Sequence, residues 1–221
     1  MAIVSYFYVM KLRNDFGVFF IVRRITMNTR IRKLTGTAML SAIAFVLMFI
    51  EFPIPFLMPE FIKMDFSDLP GLIGSFAYGP VAGIAVCLIK NLIHLMDTHT
   101  GGVGELSNFL LGAVFTGCAG VIYRKIHTKK GALIGSAVGC AAMGLASLVT
   151  NYYIVYPLYA KLMPMETIIA AYQIILKSAD TLWKCLLIFN LPFTIIKGLC
   201  SVFIAMLIYK PLRGILKGAE G

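Results

Sequence analysis

Long apolar runs, separated by short polar or proline-rich segments, fill the sequence from residue 34 onward. The runs are continuous and lack the period-two alternation that marks a half-buried strand. A segment that crosses a membrane must be helical or belong to a closed barrel, because lipid cannot satisfy backbone polar groups. The pattern therefore predicts an all-α integral membrane protein with six transmembrane helices, at residues 34–50, 69–78, 81–96, 105–123, 132–153 and 187–209.

Two connecting segments interrupt this pattern. Pro53, Pro55 and Pro59 follow the first helix and predict a long extracellular loop that runs to about Asp65. Residues 157–184 are ambiguous, because their apolar core, 166–176, is only about half as long as the roughly 20 residues that a span needs. An interfacial helix or the outer end of a longer span would explain this core, and we favour the interfacial helix.

The first 26 residues fit the six-helix pattern poorly. Their two apolar stretches, 3–10 and 16–22, are too short to span a bilayer, and no small-residue cleavage site of a signal peptide follows them. Met27 begins a basic segment that suits a cytoplasmic N-terminus. We therefore expect residues 1–26 to be a non-native N-terminal extension, translation to start at Met27, and residues 27–221 to form a single six-helix transmembrane substrate-binding domain.

Composition and charge support the membrane interpretation. Of 221 residues, 59% are hydrophobic and 14% are charged, whereas soluble domains carry about 25% charged residues. The net charge of +10 is concentrated at the two ends and in one loop, not on an aromatic and basic face suited to nucleic acid. With both termini inside, fourteen Lys and Arg residues lie in the cytoplasm and four outside, as the positive-inside rule requires.

Motifs of catalysis and metal binding are missing from the sequence. It has no G-x-x-x-x-G-K-[ST] phosphate loop, no H-E-x-x-H helix and no G-x-S-x-G elbow. Its five cysteines are dispersed, and His94, Asp97 and His99 lack the spacing of metal ligands on a helix. We therefore predict no enzyme activity, no cofactor and no metal site, and we expect active transport to need a separate energy source.

Lys197 is the strongest candidate for a ligand-binding residue. A charge inside a span costs at least about 2.5–3.5 kcal/mol, so a lysine within a membrane helix indicates function. Lys197 lies about halfway along the last predicted helix with no local acidic partner, and Thr194 shares its helix face three residues earlier. Alternatively, Lys197 snorkels to the interface or pairs with Glu105 or Asp180. We favour the substrate role.

Three further polar residues are candidates for the same site. Asn151 ends the fifth predicted helix, and its amide both donates and accepts, as recognition of an imide edge requires; an interhelical hydrogen bond is the alternative. Glu105 and Asn108 lie three residues apart at the outer start of the fourth helix, where helix capping explains them as well as ligand contact does. Asp68 and Lys90 are instead expected to form a structural ion pair.

Small residues mark one face of the first helix. Ala38 and Ala42 form a small-x-x-x-small pair, with Gly36, Ser41 and Ala44 nearby. Residues of this size and spacing let another helix approach closely. Internal packing and an external helical partner explain the pair equally well.

Five sequence stretches carry a resemblance to a known family. They are KMDFSDLPGLIGSFAYGPVAGI, LIKNLIH, GGVGELSNFLLG, NYYIVYPLY and PFTIIKG. Each is a modest signal alone, but their order and spacing together are specific. Through them, residues 32–217 resemble the substrate-binding S component of energy-coupling factor (ECF) vitamin transporters, in particular the riboflavin-type subunit.

The resemblance implies a six-helix bundle in the bacterial cell membrane that captures riboflavin, as transported ligand, from outside. It implies two kinds of partner, a membrane coupling subunit that docks on the face of Ala38 and Ala42 and two cytoplasmic ATPases. It also implies that Asn151, Thr194 and Lys197 hold the flavin ring. Members of the family often carry asparagine at the position of Thr194, whose hydroxyl can donate and accept but reaches less far.

The chemistry of riboflavin agrees with these candidates. Apolar walls with a few placed polar groups suit its flat ring and polar edge. Lys197 and Thr194 would donate to ring carbonyls, and the Asn151 amide would pair with the N–H beside them. The hydroxylated tail would reach the outer residues Phe61, Asp65, Glu105 and Asn108. Residues 53–65 are expected to act as a lid.

Two other functions are compatible with the sequence. The nearer is an S component for another vitamin, because the bundle is shared and the pocket sets the ligand. The second is an energy-independent membrane carrier.

Overall fold

A computed structural model of the chain describes residues 12–14, 17–19 and 29–217. In this part of the chain, helices dominate and the strands are two or three residues long. The longer helices are α1 (Thr29–Phe49), α2 (Asp68–Tyr78), α3 (Pro80–His94), α4 (Val103–Lys125), α5 (Lys129–Thr150), α7 (Met165–Ile175) and α9 (Leu191–Lys217). The short elements are β1 (Leu12–Asn14), β2 (Gly17–Phe19), β3 (Phe52–Pro53), β4 (Lys63–Met64), a 3₁₀ turn (Leu95–Asp97), α6 (Tyr156–Tyr159) and α8 (Leu182–Cys185).

Two π-helical turns lengthen the helices around α5 and α9. The first, Asn151–Val155, joins α5 to α6, and the second, Leu186–Asn190, joins α8 to α9. Continuous helical segments of Lys129–Tyr159 and Leu182–Ile208 result. A π turn holds one residue more than an α turn, so it shifts the faces of the helix on either side.

Five helical segments among the described residues are long and apolar enough to cross a membrane. They contain α1, α3, α4, α5 with α6, and α8 with α9. The second predicted span is present as α2, but its 11 residues reach only about 16 Å at 1.5 Å per residue. The prediction of a helical membrane protein is therefore confirmed, while six spans and the orientation in the membrane stay predictions.

The sharp connection between α2 and α3 follows from two residues. Gly79 adopts a φ of +102°, a conformation that side chains rarely allow, and Pro80 occupies the first position of α3. The two helices pack on each other, and α2 also packs against α1, α4 and α9. This places α2 among the other helices, where Asp68 is fully buried.

Helices α4 and α5 approach closely because α5 presents glycines to α4. A Cβ at Gly135 would lie 2.7 Å from the Ala119 carbonyl oxygen, and one at Gly139 would lie 2.8 Å from the Phe115 carbonyl oxygen. Both distances are too short for a carbon and an oxygen that are not bonded. Thr128 caps the N-terminus of α5 by accepting a hydrogen bond from the backbone N–H of Gly131 at 3.0 Å.

The loop between α1 and α2, residues 50–67, folds back onto the bundle. Its strands β3 and β4 pair antiparallel, with Phe52 opposite Met64 and Pro53 opposite Lys63. Met58 and Met64 are buried in a core cluster that also contains Tyr156 and other aromatic residues. The predicted long loop is thus present, and it is anchored by packing.

Residues 165–175 form a separate helix, α7, between α6 and α8. The alternative that this core is the outer end of a longer span is therefore wrong. Ile168 and Tyr172 bury one side of α7 against the same core cluster as the α1–α2 loop. Whether α7 lies at the membrane interface stays a prediction.

The predicted extension, residues 1–26, lies outside the described residues except for β1 and β2. These strands pair antiparallel, from Leu12 opposite Phe19 to Asn14 opposite Gly17. Met27 is also outside the described residues. The start at Met27 and the single domain of residues 27–221 therefore stay predictions.

Candidate functional site

A cavity of about 240 Å³ lies inside the bundle, lined by the α1–α2 loop, α3, α4, the segment from α5 to α6, and α9. Aromatic and aliphatic side chains form much of its wall, including Phe61, Tyr159 and Phe193. All of the predicted ligand-binding residues line this one cavity: Phe61, Asp65, Glu105, Asn108, Asn151, Thr194 and Lys197.

Lys197 is paired, and the expectation of an uncompensated lysine is wrong. The residue is 7% exposed, and Nζ donates to Oδ2 of Asp65 at 2.7 Å and lies 3.8 Å from Oδ2 of Asp68. The snorkelling alternative and the pairings with Glu105 and Asp180 are wrong as well. Asp65 precedes Lys197 by 132 residues, so inspection of the neighbouring sequence could not reveal the partner.

Asp65 is the counter-ion of Lys197, although the sequence suggested a contact with the ligand tail. Its carboxylate also accepts from Nδ2 of Asn108 at 3.2 Å and from the backbone N–H of Ser67 at 2.8 Å. Burial alone would raise the pKa of Asp65, but the ammonium groups of Lys197 and Lys90 hold the pKa below the usual value of an aspartate. Asp65 is therefore charged at neutral pH.

The predicted pair of Asp68 and Lys90 is confirmed. Lys90 is fully buried, and its Nζ donates to Oδ1 of Asp68 at 2.6 Å, to the Ser67 hydroxyl and to Oδ1 of Asn108 at 3.2 Å. This pair and the pair of Asp65 and Lys197 together form a charge cluster, defined here as Asp65, Asp68, Lys90 and Lys197. Two carboxylates balance two ammonium groups, so the cluster is neutral overall.

Asn151 and Thr194 face the same cavity with unused hydrogen-bonding capacity. Asn151 begins the first π turn, and its Oδ1 accepts from the Ser107 hydroxyl at 3.3 Å. Within residues 29–208, neither Nδ2 of Asn151 nor the Thr194 hydroxyl has a protein hydrogen-bond partner. Buried polar groups of this kind need a partner, and a ligand in the cavity would supply one.

Glu105 holds the connection between α3 and α4. Its Oε1 bonds to Nδ1 of His94 at 2.9 Å, and its Oε2 accepts from the hydroxyls of Thr98 and Thr100 at 3.0 and 3.1 Å. The carboxylate is also in the first turn of α4, where the helix dipole favours it. Glu105 thus has a structural role as well as a position in the cavity wall.

Replacing Glu105 by alanine should loosen this connection, because three hydrogen bonds to the carboxylate are lost. We expect amide hydrogen exchange in residues 98–104 to become about tenfold faster or more. Mass spectrometry of exchanged peptides measures this. The matched control is Glu166→Ala, which removes an exposed glutamate from the first turn of α7. Equal exchange in both variants would contradict the role of Glu105.

Sequence inspection missed Asn190, which lines the cavity and is 5% exposed. A signal was available, because Asn190, Thr194 and Lys197 lie at i, i+4 and i+7 and therefore share a helix face. It also missed Tyr156 and Tyr159, which form part of the cavity wall. These tyrosines resemble an interfacial aromatic belt in sequence.

No group of three His, Cys, Asp or Glu residues in the described part of the chain is placed to hold a metal ion. His94 bonds to Glu105 instead. The chemistry of the cavity is that of hydrogen bonding and apolar contact.

A cavity lined by apolar side chains and a few buried polar groups, within a bundle of apolar helices, is typical of a membrane protein that binds a small molecule. Residues 32–209 match the family described as ECF transporter, substrate-specific component. The chain belongs to this family. It is a component of a membrane transporter and not an enzyme.

Similar proteins extend over most of the chain. The riboflavin transporter RibU of Staphylococcus aureus is 37% identical over 195 residues, which cover 88% of this chain and 97% of that protein. The riboflavin transporter FmnP of Bacillus subtilis is 34% identical over 188 residues, with 83% and 93% covered. A solved S component of a bacterial ECF transporter superposes with a TM-score of 0.68 at 36% identity, covering 85% of this chain and 99% of that one.

Proposed function

We propose that this chain is a riboflavin-binding S component, which captures riboflavin outside the bacterial cell for ATP-driven uptake by partner subunits. The observation that carries the proposal is that Asn151, Thr194 and Lys197 meet in one buried cavity. The names of the similar proteins from Staphylococcus aureus and Bacillus subtilis, both riboflavin transporters, support this ligand.

The cavity offers riboflavin what its ring requires. The Lys197 ammonium has three N–H groups, and its short bond to Asp65 uses one of them. Another N–H and the Thr194 hydroxyl can donate to ring carbonyls, while the Asn151 amide pairs with the imide N–H. Because the charge cluster is neutral, the site suits an uncharged ring.

Three further residues of the cavity wall are assigned to the hydroxylated tail of the ligand. Phe61 and Tyr159 line the cavity with their ring centroids 6.0 Å apart, and the ring of Tyr172 lies behind Phe61 at a centroid distance of 6.4 Å. Glu105 and Asn108 line the same cavity from the first turns of α4. We assign these three residues to the hydroxylated tail, and the α1–α2 loop to the lid over it.

The proposed topology has six membrane helices with both termini inside. Helix α2 is added to the five long segments to make six. Its short length is tolerable because α1, α3, α4 and α9 pack around it. The excess of Lys and Arg at the two ends of the chain and in the α4–α5 connection supports this orientation. The α1–α2 loop then faces the outside.

The exposed face of α1 is proposed as the docking surface for the coupling subunit. Ala38 and Ala42 are exposed, whereas Ser41 and Ala44 on the other face are buried. Internal packing therefore does not use the pair Ala38 and Ala42, which favours the external partner. Two cytoplasmic ATPases would supply the energy through that subunit.

Purification in detergent tests the proposed ligand. We expect a yellow protein, or a colourless one that quenches riboflavin fluorescence at micromolar concentration or below. Thiamine and biotin, added in excess, should not restore the fluorescence. Protein that carries no flavin and does not quench would contradict the proposal, and displacement by another vitamin would indicate that vitamin as the ligand. Uptake without the ATPases would instead indicate an energy-independent carrier.

A further inference from the structure

Asn190 occupies a distinctive place in the cavity wall. It is the last residue of the π turn Leu186–Asn190 and the fourth residue before Thr194. It lies directly before α9 and shares a helix face with Thr194 and Lys197. It is 5% exposed, and Phe189 and Phe193, one residue before it and three residues after it, are buried as well.

The Asn190 side chain belongs to a closed ring of three hydrogen bonds. The Tyr172 hydroxyl donates to Oδ1 of Asn190 at 2.7 Å, and Nδ2 of Asn190 donates to the Tyr156 hydroxyl at 3.2 Å. The hydroxyls of Tyr156 and Tyr172 are bonded to each other. If Tyr156 donates in that bond, each group in the ring donates once and accepts once, so all three orientations are fixed together.

The ring leaves part of the Asn190 amide unused. A side-chain amide has two N–H groups and two lone pairs on its oxygen, and the ring consumes one of each. Between residues 29 and 208, no other protein group bonds to the Asn190 side chain, apart from a longer contact of 3.4 Å from the Tyr156 hydroxyl to Oδ1. An unpaired N–H in a buried cavity is unfavourable unless a ligand satisfies it.

We propose that Asn190 is a further ligand-contacting residue, and that Tyr172 is a positioning residue that fixes the orientation of its amide. The ligand group involved both donates and accepts, as a hydroxyl or an amide-like ring edge does. This inference rests on the proposed flavin-binding function. It extends the binding face of α9 by one helical turn beyond Thr194.

The position of Tyr172 allows its positioning role to be separated from the ligand contact made by Asn190. Tyr172 is fully buried on α7 and does not line the cavity, whereas Asn190 does. A change at Tyr172 can therefore reach the ligand only through its neighbours. Removal of its hydroxyl keeps the shape of the core and frees the Asn190 amide to rotate.

A double-mutant cycle tests the proposal, with riboflavin binding measured by fluorescence quenching of the full chain in detergent. Asn190→Ala should weaken binding about tenfold, the loss expected for one buried hydrogen bond to a ligand. Tyr172→Phe should weaken it about three- to tenfold. The double variant should bind no more weakly than Asn190→Ala alone, because Tyr172 acts through Asn190.

The control is Tyr152→Phe, the same substitution at a tyrosine that is 39% exposed and outside the cavity; its affinity should equal that of the wild type. Unchanged affinity in either single variant overturns the inference. The inference is also overturned if Tyr172→Phe lowers the affinity by the same factor in the wild type and in the Asn190→Ala variant. Thermal unfolding establishes whether each variant is folded. If Asn190→Ala does not fold, the affinity of Tyr172→Phe alone tests the inference. Wild-type protein that fails to bind riboflavin overturns the proposed function as well.

Discussion

Lys197→Met is expected to weaken riboflavin binding more than tenfold and to lower the stability of the empty protein. Affinity falls because the flavin ring loses its charged hydrogen-bond donor. Stability falls because Asp65, which is 2.7 Å from Nζ of Lys197, is left buried without its nearest cation. Breaking a buried pair in this way costs about 3–5 kcal/mol. Fluorescence titration and thermal unfolding measure the two effects.

A second substitution separates these two losses. Combining Lys197→Met with Asp65→Asn removes both charges, so most of the lost stability should return while the affinity stays low. Lys177→Met is the matched control, because Lys177 is exposed and distant in sequence from every cavity residue. Full affinity in Lys197→Met would remove Lys197 from the site.

Lys90→Met is expected to lower stability about as much as Lys197→Met does. Lys90 is fully buried and joins Asp68, Ser67 and Asn108 through three hydrogen bonds. Its removal leaves the cluster with two carboxylates and one ammonium group. We expect the free energy of unfolding to fall by about 3–5 kcal/mol, measured by chemical unfolding in detergent micelles.

Two comparisons test the origin of that loss. Lys90→Met with Asp68→Asn restores charge balance, and it should recover a large part of the stability. Lys184→Ala breaks an ion pair of similar length, 2.6 Å to Asp180, at an exposed position on α8, and it should leave stability unchanged. If Lys90→Met were as stable as Lys184→Ala, the cluster would not be a major source of stability.

The helices were largely predictable because apolar runs and breakers lie in the local sequence. The third predicted span, residues 81–96, corresponds to α3 at Pro80–His94 and the 3₁₀ turn after it. The gap between the predicted spans 69–78 and 81–96 also falls at Gly79 and Pro80, where the structure places the connection between α2 and α3. The two π turns were not predictable, because one extra residue in a turn leaves the apolar pattern almost unchanged.

The sequence predicted part of the cavity wall, but it missed Asn190, Tyr156 and Tyr159 and did not predict the electrostatics. Rare polar residues in apolar helices indicated Asn151, Thr194 and Lys197, and the structure brings them to one cavity. The pairing of Lys197 with Asp65 depends on a loop that folds back across 132 residues of sequence. The pairing of Asp68 with Lys90 spans only 22 residues, between two adjacent helices, and could be predicted.

The α1–α2 loop carries the counter-ion of a lysine that belongs to α9. Movement of this loop away from the bundle would therefore separate Asp65 from Lys197 in surroundings of low dielectric constant, which is costly until water enters. If this loop is the lid, as proposed above, opening of the cavity and hydration of Lys197 occur together. The residence time of a bound molecule would be governed by the rate at which one ion pair is wetted.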